Sequence, residues 1–259
     1  MTDSGALDVS VFALRYAAGR RDDVDRTSMR LYRFNSAPRN PVHMRIFGDP
    51  LSARQHLCQA AGLDPSGSNG RFKLSIVDSG GWLLWRNVQP CPASTLAGTR
   101  KVYVTPKLDY FPLALNAVAR AAKTAGVTAF KFGADYANIR RPDRIVIYLR
   151  DRGHAEEIVR LLRPALDEVP ADVLPFAERL SNAIFTGLDP PASRPELSDG
   201  ARSWRRWLCR RLAESLDQDD RGDPRAAVEA ALVRARELAI DPARWSVPDD
   251  FFLDPGGEA

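Results

Sequence analysis

RKVYVTPKLDYFPLALNAVARAAKTAGVTAFKFGADYANIRRPDRIVIYL, residues Arg100 to Leu149, is the stretch on which the fold turns. Residues 100–105 alternate basic or aromatic with apolar side chains, the period of two of a strand with two different faces. Residues 110–123 carry apolar side chains at helical spacing behind Pro112, a residue suited to a first helical turn. Residues 129–132 and 144–149 are short β-branched and aromatic runs, read as strands, and the loop between them holds Arg140 and Arg141. The unit is therefore strand, helix, strand, arginine-bearing loop, strand.

Lys131 is the residue that does not fit. In Ala129-Phe130-Lys131-Phe132 the period of two sends both phenylalanines to one face and the lysine to the other, on a strand expected to be central. The choice of lysine is informative, because the chain has only five lysines against 32 arginines. Two of the five, Lys101 and Lys131, fall on strands of this one unit. Arginine cannot release its proton, whereas a buried lysine among other cations can serve as a base. The competing reading is that Lys131 snorkels from an edge strand or pairs with Asp135.

The order Lys101-x-Tyr103-x-Thr105, a helix, Phe130-Lys131-Phe132, then Arg140-Arg141-Pro142-Asp143 ahead of Tyr148 resembles the phosphothreonine/phosphoserine lyase group. That group includes the OspF/SpvC effectors, the HopA class of type III effectors, and the lyase modules of class III and class V lanthipeptide biosynthesis. The HopA-type branch is favoured by two later stretches, Leu174 to Ser181 leading to Gly187-Leu188-Asp189-Pro190-Pro191, and Ser198 to Arg202 before a helix. The resemblance spans roughly residues 98–245 and its motifs are short.

What the resemblance implies is β-elimination of phosphate from a phosphothreonine or phosphoserine side chain, leaving dehydrobutyrine or dehydroalanine. Such a reaction needs a base for the Cα proton, cations for the departing phosphate and a stabiliser for the developing enolate. By carry-over Lys131 is the base. Arg140 and Arg141 match the arginine that grips phosphate, with Arg141 completing an Arg-x-Asp pattern through Asp143, and Lys101 is a further phosphate ligand. Tyr103 stands where OspF/SpvC has a histidine acting as general acid, so its role is open between proton donor, oxyanion donor and packing. Arg179 and Arg202 are candidates for a second phosphate clamp. No cofactor and no metal are implied. The partners implied are a phosphorylated precursor peptide, a separate kinase and a cyclase, because the chain has no nucleotide loop of its own.

Bulk properties narrow the classes. A chain of 259 residues can bury a sizeable core. Three cysteines, Cys58, Cys91 and Cys209, have no metal spacing, and three histidines form no i, i+4 pair. No apolar run reaches the roughly 18–20 residues of a membrane span, so a bacterial cytoplasmic location is expected, with no membrane partner. The net charge of +4 invites a nucleic-acid reading. Arg140, Arg141, Arg205, Arg206, Arg210 and Arg211 are its candidates, but acids and bases are interspersed and no nucleic-acid partner is expected.

Outside the central unit, residues 11–16 and 29–34 read as strands, or as a short helix and a strand, and residues 50–62 as a helix. Residues 72–77 and 82–85 read as a hairpin, with Trp82 and Trp85 as packing residues. Residues 154–169, 198–216 and 224–239 are amphipathic helices, with His154 at the surface; 187–195 is a turn-rich connector. The pattern predicts an α+β fold: an antiparallel or mixed β-sheet with helices packed on one face and a helical C-terminal part. Its expected parts are residues 1–95, a substrate-recognition unit; 96–195, the lyase-like core; and 196–259, the helical part and tail. A non-catalytic phosphopeptide- or leader-peptide-binding subunit on the same fold is the alternative function, favoured by the tyrosine at 103 and disfavoured by Lys131.

Overall fold

The computed structural model describes residues 4–20, 22–64, 68–69, 72–77, 81–88, 99–191, 203–217, 223–248 and 250–252. The central unit folds as its periodicities dictate: β4 (Thr99–Val104), α5 (Phe111–Ala125), β5 (Ala129–Gly133), the single-turn α6 (Tyr136–Ile139) in the arginine loop, and β6 (Ile145–Leu149). Pro112 lies in the first turn of α5, and Gly126 ends it in the left-handed region at φ 65°. Phe111, Leu115, Val118 and Ala122 form its buried stripe.

Ahead of this unit come α1 (Ser4–Ala18), α2 (Val24–Tyr32), α3 (Pro41–Phe47), α4 (Pro50–Ala61), the short β1 (Ser68–Asn69), and the hairpin strands β2 (Phe72–Val77) and β3 (Trp82–Asn87). After it come α7 (Arg152–Leu166), the two-residue β7 (Glu178–Arg179), β8 (Ile184–Asp189), α8 (Trp204–Asp217) and α9 (Pro224–Glu237). Among the described residues the strands form one sheet in the order β1-β2-β3-β5-β6-β4-β8-β7, every pairing antiparallel. Strands from both sides of residue 95 thus share one sheet, since β3 pairs with β5.

One face of that sheet, with Val102, Phe130, Phe132 and Ile147, packs under α4, α5 and α7 in the larger core. A second core joins the two ends of the chain: Ala13, Leu14 and Ala17 of α1 and Leu31 of α2 pack with Trp204, Leu208 and Leu212 of α8 and with α9. The fold is α+β with a helical C-terminal part. Residues 11–16 and 29–32 are helical rather than extended, and residues 33–34 are a turn. Apolar runs this short have no decisive period of their own, and burial against α8 and α9 selects the helix.

Two local readings change as well. The connector expected from 187 is still strand through Asp189, because Gly187 must lie flat beneath an indole: a Cβ there would meet Trp204 Cδ1 at 2.6 Å. Gly187→Ala is therefore expected to cost about 1–3 kcal/mol, measured as a shift of the urea midpoint at unchanged slope. His154 is buried instead of exposed, with Nε2 3.1 Å from the Ala125 carbonyl, because the turn capped by Asp151 aims it at the end of α5.

Candidate active site

Side chains of opposite parity on β4, β5, β6 and β8 point away from α5 and α7, and Lys101, Lys131 and Asp189 are among them. Lys131 lies opposite Leu84 on β3 and Val146 on β6; Val146 lies opposite Tyr103, and Tyr148 opposite Lys101. Lys101 and Asp189 form an ion pair, both nearly fully buried. The other oxygen of Asp189 accepts from the Trp204 backbone N–H at 2.8 Å, so one carboxylate neutralises a lysine and caps α8. Burial pushes the Lys101 ammonium down, but Asp189 outweighs it and holds the group protonated.

A second charged knot sits on the loop entering β6. Arg141 grips Asp143 through both oxygens, Nε to Oδ1 at 2.9 Å and Nη2 to Oδ2 at 2.8 Å, and Nη2 also donates to the Tyr32 hydroxyl at 2.6 Å. Arg205 of α8, with no exposed side-chain surface, ion-pairs with Asp143 Oδ2 at 3.0 Å. Its Nε donates to Pro175 O at 3.0 Å and its Nη2 to Tyr32 O at 2.8 Å. Arg144, fully buried, fixes the loop beneath by donating to Arg141 O at 2.8 Å and ion-pairing with Asp172 at 2.6 Å. Phe176, next to Pro175, sits at φ 60°, a strained position for an aromatic residue that its buried contact with Trp245 maintains.

Aromatic rings link the two knots through Lys131. Tyr148 lies 4.8 Å from Lys101 Nζ and 5.9 Å from Lys131 Nζ. Trp82 lies 4.5 Å from Lys131 Nζ and 5.1 Å from Arg141 Cζ. Tyr32 lies 4.8 Å from Arg141 Cζ and 4.9 Å from Arg205 Cζ. Lys101, Tyr148, Lys131, Trp82, Arg141, Tyr32 and Arg205 thus alternate cation and ring, each ring face offsetting the repulsion between its neighbours. Lys131 is the cation of this series that has no ion pair and no hydrogen bond among the described residues, and it is partly exposed.

The residues singled out in the sequence divide accordingly. Lys101, Lys131 and Arg141 come together, and Tyr103 lies beside them with its side chain 2% exposed among Val146, Leu174, Ala177 and Phe185. The Tyr103 hydroxyl has no hydrogen-bond partner among the described residues, and burial pushes its pKa well up. Arg140 turns the other way: its Nε donates to Ala37 O at 2.6 Å, because the turn of α6 sends neighbouring side chains to opposite sides. Arg179 is four strands from β5, roughly 19 Å at about 4.8 Å per strand, and bonds its own turn through Ser181 O at 3.1 Å. Arg202 lies outside the described residues.

Tyr32, Trp82, Tyr148, Asp189 and Arg205 were not singled out as site residues. Arg205 had a legible signal: with Leu208, Cys209 and Leu212 it falls on the buried stripe of α8. Its burial, together with the Arg210–Asp25 and Arg211–Glu214 ion pairs, also breaks up the arginine row on which a nucleic-acid face would depend. Trp82 and Trp85, three apart on β3, point to opposite faces and are both buried; Trp85 lies in the larger core and Trp82 against Lys131 and Arg141.

Burial alone would raise the Asp143 carboxyl, but Arg141 and Arg205 outweigh it and hold it well below the usual carboxylate range. A carboxyl depressed on folding contributes stability that is complete above the unfolded value of about 4 and is lost as pH falls below it. The urea midpoint is thus expected to be flat between about pH 7 and 5 and to drop below about pH 4, with a shallower drop in Asp143→Asn.

The fold is shared with solved effector structures. The effector protein from Pseudomonas syringae pv. tomato strain DC3000 aligns with a TM-score of 0.58 at 11% identity, over 93% of this chain and 98% of that one. The effector protein from Pseudomonas syringae pv. syringae strain 61 aligns with a TM-score of 0.54 at 11% identity, over 93% and 97%. The phosphothreonine lyase SpvC, an effector protein from Salmonella, aligns with a TM-score of 0.42 at 13% identity, over 81% and 99%. No protein-family profile and no curated protein matches the sequence.

The chain has the α+β fold of those effector structures, and one face of its sheet carries the series of cations and rings. That fold is the one implied by the resemblance of residues 98–245 to the HopA-type group.

Proposed function

We propose that the protein is a phosphothreonine/phosphoserine lyase that eliminates phosphate from a phosphorylated precursor peptide in lanthipeptide-type biosynthesis. The observation that carries this reading is the charge balance of the ring-and-cation series. With Lys131 protonated, Lys101, Lys131, Arg141 and Arg205 face two carboxylates, Asp143 and Asp189, leaving two formal positive charges, of which one remains once Lys131 is neutral. A phosphate monoester brings about −1.5 to −2 at neutral pH. The three ion pairs to Asp143 and Asp189 keep their cations in place before substrate arrives, which is the preorganisation that charge stabilisation of a leaving group requires.

Roles follow from which donors are already spent. Arg205 donates Nε to Pro175 O and Nη2 to Tyr32 O and holds Nη1 in an ion pair with Asp143 without a hydrogen bond, and so acts as a strut. Arg141 uses Nε and Nη2 on Asp143 and Tyr32, and presents Nη1 to the phosphate. Lys131, in its neutral form, takes the Cα proton. That electron pair becomes the Cα=Cβ double bond as the Cβ–O bond breaks, and phosphate leaves with the bridging oxygen. Phosphate is a tolerable leaving group without an acid, so the sealed Tyr103 need not donate. A separate kinase supplies the phosphopeptide, a cyclase consumes the dehydroamino acid, and no metal or cofactor takes part.

The second reading, a phosphopeptide-binding subunit without turnover, is favoured by the same Tyr103, buried where OspF/SpvC has its histidine. Mass spectrometry of a synthetic phosphothreonine peptide separates the two. Loss of the mass of phosphoric acid with the wild-type protein supports the lyase; binding of an unchanged peptide supports the subunit.

A further inference from the structure

On the opposite face of the sheet lies a groove of about 770 Å³ that the site described above does not use. The two share strands: Arg100 reaches the groove and its neighbour Lys101 the cation series, and Thr186 lines the groove while donating to Lys101 O at 2.8 Å. The long wall is α7, which contributes Arg152, Arg160 and Arg163, and Arg244 faces it from the segment after α9. Five arginines therefore meet three carboxylates, Glu156, Glu178 and Asp241.

The carboxylates are already engaged. Glu156 pairs with Arg152 at 3.2 Å, Glu178 pairs with Arg244, and Asp241 accepts from the Ala243 N–H at 2.9 Å. Arg163 spends one nitrogen on Leu180 O at 3.0 Å, and Arg160 has no partner among the described residues. The surplus positive charge therefore sits on exposed α7 side chains one turn apart, beside the apolar surface of Val159, Val247 and Pro248.

We infer that this groove binds an acidic segment of the peptide substrate, remote from the phosphorylated residue. The inference rests on the lyase reading. Arginine forks match carboxylates, and the apolar strip suits the side chains between them. A nucleic acid fits less well, because three carboxylates line the groove and no aromatic residue offers a base a stacking face.

The arrangement also fixes a spacing. A chain leaving the groove around the β7 edge crosses four strand spacings and one sheet thickness to reach Lys131, roughly 30 Å, or about nine extended residues. The acidic segment therefore lies at least about nine residues from the phosphorylated one.

Fluorescence anisotropy tests this with two labelled peptides that share one phosphothreonine segment, one carrying four acidic residues about ten positions away and the other serines in their place. At low salt the acidic peptide is expected to bind the wild type and Lys131→Ala at least about tenfold more tightly than the serine peptide. The double variant Arg160→Glu/Arg163→Glu is expected to lose that preference while turning over a short phosphopeptide, lacking the acidic segment, at the wild-type rate. Arg160→Gln/Arg163→Gln, which keeps bulk and polarity, is expected to lose most of it.

Equal affinities for the two peptides, a preference that survives both double variants, or tighter binding of a mixed-sequence single-stranded RNA at the same arginines would overturn the proposal. A preference that depends on Arg160 and Arg163, in a protein that leaves every phosphopeptide intact, would support the groove and remove the lyase reading instead.

Discussion

Lys131→Ala is expected to lower turnover of a phosphothreonine peptide by about 10²–10⁴-fold, the range that loss of a general base produces, with thermal unfolding nearly unchanged. The second half of that expectation follows from the structure: among the described residues Lys131 has no ion pair or hydrogen bond to lose, and its ring contacts are the faces of Trp82 and Tyr148. Lys131→Arg is expected to fail equally, since it keeps the charge and the ring contacts but cannot release a proton. Lys101→Ala is expected to behave differently, because it strands the buried Asp189 and so loses stability together with activity. Turnover and thermal unfolding measured side by side on the three variants decide between these outcomes. Appreciable activity in Lys131→Arg would mean that the residue serves as a cation and not as a base.

Asp143→Ala is expected to be the most destabilising of the site substitutions, by about 3–5 kcal/mol, or a fall in Tm of roughly 10 °C for a chain of this size. Its two partners are held where water cannot replace it: Arg205 has 0% and Arg141 15% of its side chain exposed. Asp143→Asn is expected to fall between, since an amide accepts one of the bonds but carries no charge. The control is Arg210→Ala, whose ion pair with Asp25 is 46% and 82% exposed and is expected to matter by about 0.5 kcal/mol or less. Calorimetry on the three variants gives the order directly; equal losses for Asp143→Ala and Arg210→Ala would contradict the buried-knot description.

The legible part of this fold was the part with a local period. The alternation of β4, β5 and β6 and the stripe of α5 lie in contiguous residues, so the central unit and the odd face of Lys131 follow from the sequence alone. The assembly around Lys131 does not. Tyr32 and Trp82 come from elements far from Lys131 in sequence and are brought to it by tertiary packing, which no spacing encodes. Adjacent arginines were equally opaque: Arg140 and Arg141 differ only in which side of a one-turn helix they leave, and that decides that Arg141 meets Asp143 while Arg140 ties down Ala37. Asp189 was hidden by its company of glycine and prolines, a turn signal that β8 overrides because Trp204 packs on Gly187.

The central claim is that phosphate leaves by breakage of the carbon–oxygen bond, and it is tested most directly by incubating a phosphothreonine peptide with the protein in 18O-labelled water. The account predicts inorganic phosphate with no solvent oxygen and a peptide carrying dehydrobutyrine, because the bridging oxygen departs with the phosphorus. Phosphate that contains one labelled oxygen, together with a peptide restored to threonine, would show attack of water at phosphorus and would contradict it.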